Sequence, residues 1–96
     1  MPGMIRTIRD RRVQQILDGE VPRRFDPALA RAAERRLKYL ADAVAFAELQ
    51  SPPSNRLEAL RGDRKGWFSI RINRQWRICF RWVEDAAEDV EIVDYH

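Results

Sequence analysis

The second half of this sequence concentrates side chains that could move protons or hold a phosphate. "RLEALRGDRKG" (56–66) supplies Arg56, Glu58, Arg61, Arg64 and Lys65. "WFSIRIN" (67–73) and "QWRICFRWV" (75–83) supply Arg71, Arg77 and Arg81. "VEIVDYH" (90–96) brings Asp94, Tyr95 and the only histidine, His96. An imidazole titrates near neutral pH and can give or take a proton. Guanidinium groups bind phosphate through a planar fork and stabilise negative charge where it develops in a transition state. Together these groups suit strand scission of RNA without a metal. In that reaction a 2′-hydroxyl loses its proton and attacks the neighbouring phosphate in line, and the 5′-oxygen leaves with a proton.

The charge distribution fits such a target. The net charge is +3, but residues 56–82 carry eight basic and two acidic side chains, a local charge of +6. Residues 83–96 carry six acids and neither Lys nor Arg, a local charge of −6. Sixteen of the 18 basic residues are arginine. A basic, arginine-rich middle points towards a polyanion, and nucleic acid is the polyanion that arginine recognises best. A soluble surface rich in arginine explains the composition about as well, so position must decide.

A chain of 96 residues has room for one core, so a single domain over 1–96 is expected. No apolar run is long enough for a membrane span. "MPGMIRTIRDRR" lacks the apolar stretch of an export signal. Cys79 has no partner for an internal disulfide, and the sequence shows no cluster of metal ligands. The expectation is a cytoplasmic protein with a site that uses no metal and no cofactor.

The elements that must position these residues can be read from periodicity. "MIRTIR" (4–9) alternates like a short strand. Asp10 is a plausible cap for a helix over "RRVQQILDG", and Asp26 with Pro27 opens a second one. Leu29, Ala33, Leu37, Leu40 and Val44 form its apolar stripe. "SPPSN" (51–55) ends the helical half. "RLEAL" (56–60) reads as a short strand, 67–73 and 75–83 as a hairpin meeting at Asn73-Arg74, "EDAAED" as a turn and 90–95 as the last strand. Short turns imply antiparallel neighbours. The fold class is therefore α+β, with two layers: two N-terminal helices packed on one face of a twisted antiparallel sheet.

Period two then divides the hairpin by face. Phe68, Ile70, Ile72, Trp76, Ile78, Phe80 and Trp82 should meet the helices. Trp67, Ser69, Arg71, Arg77, Cys79, Arg81 and Val83 should face the other way. Arginines on adjacent strands repel, and an anionic ligand would explain why they stand together. Trp67, alone among the tryptophans on that face, could stack on a base. A pairing of Arg77 with Glu91 is the plainer expectation for the arginine, and a packing role is the plainer one for Cys79 and Tyr95.

"PPSNRLEALRGDRKGWFSIRINRQWRICFRW" and "DVEIVDYH" closely resemble the HigB toxins of the RelE/ParE superfamily, the plasmid maintenance killer proteins, over nearly the whole chain. The resemblance implies a type II toxin that cleaves messenger RNA at the ribosomal A site without a metal, leaving a 2′,3′-cyclic phosphate. It implies a HigA-like helix-turn-helix antitoxin as partner, with operator DNA bound only through that antitoxin. It assigns catalysis to Arg77, Tyr95 and His96, and places Asp94 in the same terminal motif. The resemblance implies a histidine and a lysine in the region where this chain has Glu58 and Arg61, so either Glu58 is the general base or the ribosome supplies part of that geometry, and Arg61 is a second phosphate ligand. Arg56, Arg64, Lys65, Arg71, Arg81 and Asp94 are the candidate RNA-binding residues. Two alternatives stay open: a non-catalytic inhibitor like the gyrase-poisoning ParE relatives, which the Tyr-His ending argues against, and a degenerate toxin kept for autoregulation with its antitoxin.

Overall fold

The computed structural model describes residues 5–95; the expectations placed on Met4 and His96 lie outside the described residues. Two helices, α1 (Arg11–Leu17) and α2 (Pro27–Asp42), pack on a four-stranded antiparallel sheet of order β1-β2-β3-β4. The strands are β1 (Glu58–Ala59), β2 (Trp67–Arg71), β3 (Trp76–Val83) and β4 (Ala86–Asp94).

Both helices start where their caps predict. The Asp10 carboxylate accepts from the Arg12 N–H, and the Asp26 carboxylate from the Leu29 N–H at 2.7 Å. Each satisfies a backbone donor that the first helical turn leaves unpaired. α2 stops earlier than its apolar stripe suggests. Ala43 is extended and buried, which turns Val44 outward to 63% exposure and removes it from the core. Phe46 then sits in a short 3₁₀ turn (Phe46–Gln50), against Phe68 at 4.6 Å and Trp82 at 5.8 Å between ring centroids.

The core lies between the layers. Val13, Ile16, Leu37 and Leu40 from the helices meet Ile70, Ile78, Phe80, Val90 and Ile92 from the sheet. Full burial of such side chains contributes roughly 1.5–3 kcal/mol each. Ile72 is buried with them, while Phe68, Trp76 and Trp82 are partly buried against the same cluster. The face assignment of the hairpin therefore holds.

β1 is shorter than the 56–60 expected, and three further stretches differ for local reasons. The β2–β3 connection is longer than an Asn73-Arg74 pair, because the Asn73 side chain accepts from the Gln75 and Trp76 N–H groups at 2.8 and 2.9 Å. This replaces ladder bonds with an Asx turn. The second hairpin turns on Glu84 and Asp85 alone, both at positive φ (49° and 62°), so "EDAAED" is mostly strand. Two positive φ values are the pattern that matches strand twist in a two-residue turn. Finally, residues 5–8 make isolated parallel bridges, Ile5 with Ala87 and Ile8 with Val90, on the outer edge of β4, and do not form a regular strand.

A bulge offsets β4. Arg81 pairs with Glu88 and Cys79 with Glu91, so Asp89 and Val90 together oppose Phe80. Asp89 takes φ 54°, the position glycine usually fills in such a bulge. Its N–H donates to the Thr7 hydroxyl at 2.8 Å. The bulge keeps Val90 and Ile92 in the core while Glu88, Asp89 and Glu91 reach the arginines of the sheet.

Candidate active site on the open face of the sheet

The face away from the helices is built in rows across the strands. Glu58, Ser69, Cys79 and Glu91 are in register across all four strands. The next row is Arg71, Arg77 and Val93. Asp94 pairs with Trp76, so the following residue, Tyr95, returns to the side of Arg77.

Arg77 is the centre of this face. Only 11% of its side chain is exposed. Its Nε donates to the Ser69 hydroxyl at 2.8 Å, and NH2 donates to the Arg56 carbonyl at 2.6 Å. Glu58 Oε1 lies 3.6 Å from the same NH2 and is itself well exposed. The guanidinium carbon is 5.9 Å from the centre of the Tyr95 ring. The Tyr95 hydroxyl meets Cys79 Sγ at 3.9 Å. Burial, and then the Cys79 thiol beside it, push the Tyr95 phenol up. It therefore stays protonated at neutral pH and can act as a proton donor. Burial also pushes the Cys79 thiol up, although Tyr95, Arg64 and Arg77 partly oppose it. A thiol in that state packs and orients; it does not attack.

The remaining arginines split into two groups. Arg64 pairs with Glu91 and lies over the Trp67 ring at 3.9 Å. Arg81 is held by Asp89 and Glu88 at 3.0 and 3.2 Å. Arg6 is held by Glu88 at 2.7 Å. The face is thus not uniformly basic: the acids of β4 neutralise its β4 side. Glu91 takes Arg64 and not Arg77, and the Trp67 ring is stacked on guanidinium groups, with Arg9 also over it at 5.8 Å. Among the described residues, the exposed side chains of Arg56, Arg61 and Lys65 have no acidic partner. The half-buried Arg71 donates only to the Asn73 carbonyl, at 3.0 Å. Uncompensated positive charge therefore gathers on the β1–β2 side and on the loop 61–66.

Asp94 accepts from Gln75 Nε2 at 3.0 Å, on the helix side of the strand register. Ser69, between two apolar strand residues, carries no signal of its own in the sequence; what marks it is the hydrogen bond from Arg77, which lies diagonally across from it on β3. Among the described residues no group of three or more His, Cys, Asp or Glu is arranged to hold a metal ion, and no helix is long and apolar enough to cross a membrane.

Comparison with known proteins gives this arrangement a context. Residues 6–96 match the family described as the RelE-like toxin of type II toxin–antitoxin system HigB. The chain is 39% identical over 80 residues to Toxin HigB-1 of Vibrio cholerae serotype O1, which covers 82% of this chain and 84% of that protein. It is 34% identical over 61 residues to Endoribonuclease HigB of Proteus vulgaris, covering 64% of this chain and 65% of that one. An uncharacterized protein of Haemophilus influenzae is 28% identical over 72 residues.

Proposed function

Because the chain belongs to the HigB family of RelE-like toxins from type II toxin–antitoxin systems, we propose that it is an endoribonuclease that cleaves messenger RNA in the ribosomal A site. Membership makes an antitoxin its partner. A HigA-like helix-turn-helix protein would fill that role and would carry the contact with operator DNA, in the cytoplasm. The observation that carries the nuclease reading is the meeting of Arg77 and Tyr95 on one face, beside cations that have no acidic partner among the described residues.

The chemistry follows from those groups. Glu58, exposed and 3.6 Å from Arg77, accepts the proton of the 2′-hydroxyl as general base. The oxygen attacks the adjacent phosphate, and negative charge builds on the equatorial oxygens. Arg77 stabilises that charge with its remaining N–H donors, and Arg61 adds a second cation from the loop. Donors aimed in advance at a developing charge each contribute on the order of 10²–10³ in rate. His96 delivers the proton to the departing 5′-oxygen, and the neutral Tyr95 phenol orients the phosphate or shares that transfer. The products are a 2′,3′-cyclic phosphate and a 5′-hydroxyl, with no metal in any step. Arg56, Lys65 and Arg71 hold flanking phosphates. Arg64 and Arg81, already compensated by acids, contribute less, and Asp94 supports the end of β4 through Gln75.

Induced expression followed by mapping of transcript 5′ ends tests the reading. The wild-type chain should produce codon-phased 5′-hydroxyl ends and growth arrest. Arg77→Ala should remain folded, permit growth and leave transcripts intact. DNA breaks without new RNA ends would replace the nuclease reading with that of a gyrase poison.

A further inference from the structure

Arginine carries five N–H donors on three nitrogens, and where it points depends on which of them the protein occupies. Two nitrogens of Arg77 are occupied. Nε is taken by the hydroxyl of Ser69, a side chain with 0% exposure, and NH2 by the Arg56 carbonyl, with the Ser69 carbonyl a further 3.5 Å contact. Neither acceptor is free to move. Ser69 is in the centre of β2, in register with Cys79 on β3 and Glu58 on β1. Arg56 is left-handed (φ 46°, ψ 56°), a conformation that costs a non-glycine residue energy. The residue before it is locked. Asn55 is wholly buried, donates to the Leu49 and Ser51 carbonyls, and accepts from Arg36 of α2 at 2.6 Å. The Tyr95 ring lies alongside, 5.9 Å from the guanidinium carbon. The two hydrogens of NH1 have no partner among the described residues.

We infer that Ser69 is a positioning residue for Arg77: with the Arg56 carbonyl it clamps one edge of the guanidinium, so that NH1 is presented to the anion on the open face. The inference rests on the nuclease reading for its consequence in rate, but not for its geometry. A hydroxyl present only to fill the strand would not matter to the chemistry. A hydroxyl that aims the fork matters most in the transition state, where the charge on phosphorus is greatest. The phosphate grip of the ground state, which rests on the charges of Arg56, Arg61, Lys65 and Arg71 and on the charge of Arg77 however its fork is aimed, would hardly change.

Two variants of the full chain test this, Ser69→Ala and Ser69→Thr, compared on programmed ribosomes with melting temperatures measured in parallel. Ser69→Ala should lower kcat on the order of 10- to 100-fold while KM stays within about twofold. Ser69→Thr, which restores the acceptor, should recover most of kcat. An independent reading comes from the Arg77 Nε–H resonance in heteronuclear NMR. It should exchange slowly in the wild type and in Ser69→Thr, and rapidly in Ser69→Ala. A folded Ser69→Ala with kcat within twofold of wild type, or with an unchanged Nε–H exchange rate, overturns the inference. If the wild-type chain cuts no RNA, the nuclease reading falls, and the exchange rate alone then decides whether Ser69 holds Arg77.

Discussion

The division of the arginines into compensated and uncompensated groups makes a quantitative prediction for RNA binding. Among the described residues Arg56, Arg61, Lys65 and Arg71 face no acid, and Arg77 has only the Glu58 contact at 3.6 Å. Each such cation on a single-stranded phosphate releases counterion and contributes about 0.7 to the slope of log Kobs against log salt. Five of them give a slope of about −3.5, or roughly a hundredfold loss of affinity between about 50 and 200 mM salt. Arg81 is different. Binding RNA would mean leaving Asp89 at 3.0 Å and Glu88 at 3.2 Å, so the net release is close to nil. Fluorescence anisotropy with a 2′-O-methyl oligoribonucleotide, which lacks the attacking hydroxyl, measures the slope across a salt series. Arg61→Gln and Lys65→Gln should each make it shallower by about 0.7, and Arg81→Gln should leave it unchanged. If Arg81→Gln flattens the slope as far as Lys65→Gln does, the partition is wrong and the whole face acts as one basic surface.

Four further outcomes can be checked. The Asp10 carboxyl is held below the usual aspartate range: burial raises it, but the Arg12 side chain and the Ile92 and Arg12 N–H groups lower it more. A depressed folded-state pKa gives stability that is present above the unfolded pKa and lost as pH falls through the folded one, so thermal melts should drop below about pH 4. Asp10→Ala should cost about 1 kcal/mol at neutral pH and flatten that acid limb. Phe80→Ala empties a site with no solvent exposure between Phe68 and Trp82 and should cost about 3–5 kcal/mol in urea denaturation. Asp85→Gly relieves a positive φ of 62° in an exposed turn and should raise stability by about 1 kcal/mol. The Cys79 thiol, buried and pushed up, should react with a disulfide reagent at mildly alkaline pH only at the rate of unfolding.

Several of these features were legible in the sequence because they depend on near neighbours alone. Asp10 and Asp26 are caps whatever follows them, and period two assigns each residue of β2 and β3 to a face. Other features depend on partners distant in sequence. Nothing in "RICFRW" says that Arg81 meets Glu88 and Asp89, since that pairing requires the bulge at Asp89 and the turn at Glu84-Asp85. Nothing in "PALARAAERRLKYLADAVAF" stops the helix at Asp42. The stop comes from the fit of Ala43 and Phe46 against the sheet, which leaves Val44 outside. The arginines were therefore identifiable as a group, and their separate roles were not. Ser69 had no local signal, because its importance comes wholly from the strand beside it.

The segment that borders β4 has a consequence for when the protein becomes dangerous to its host. Ile5 and Ile8 bridge Ala87 and Val90, and Asp10 and Arg12 both bond the backbone of Ile92, so stretches made early in translation are fastened to stretches made late. Until β4 emerges, α1 lacks the strand it packs on, and Tyr95 has not yet been placed beside Arg77. On the proposed mechanism, a nascent or prematurely terminated chain would therefore be harmless. Toxicity should switch on in one step, as the polypeptide leaves the machine it is proposed to attack.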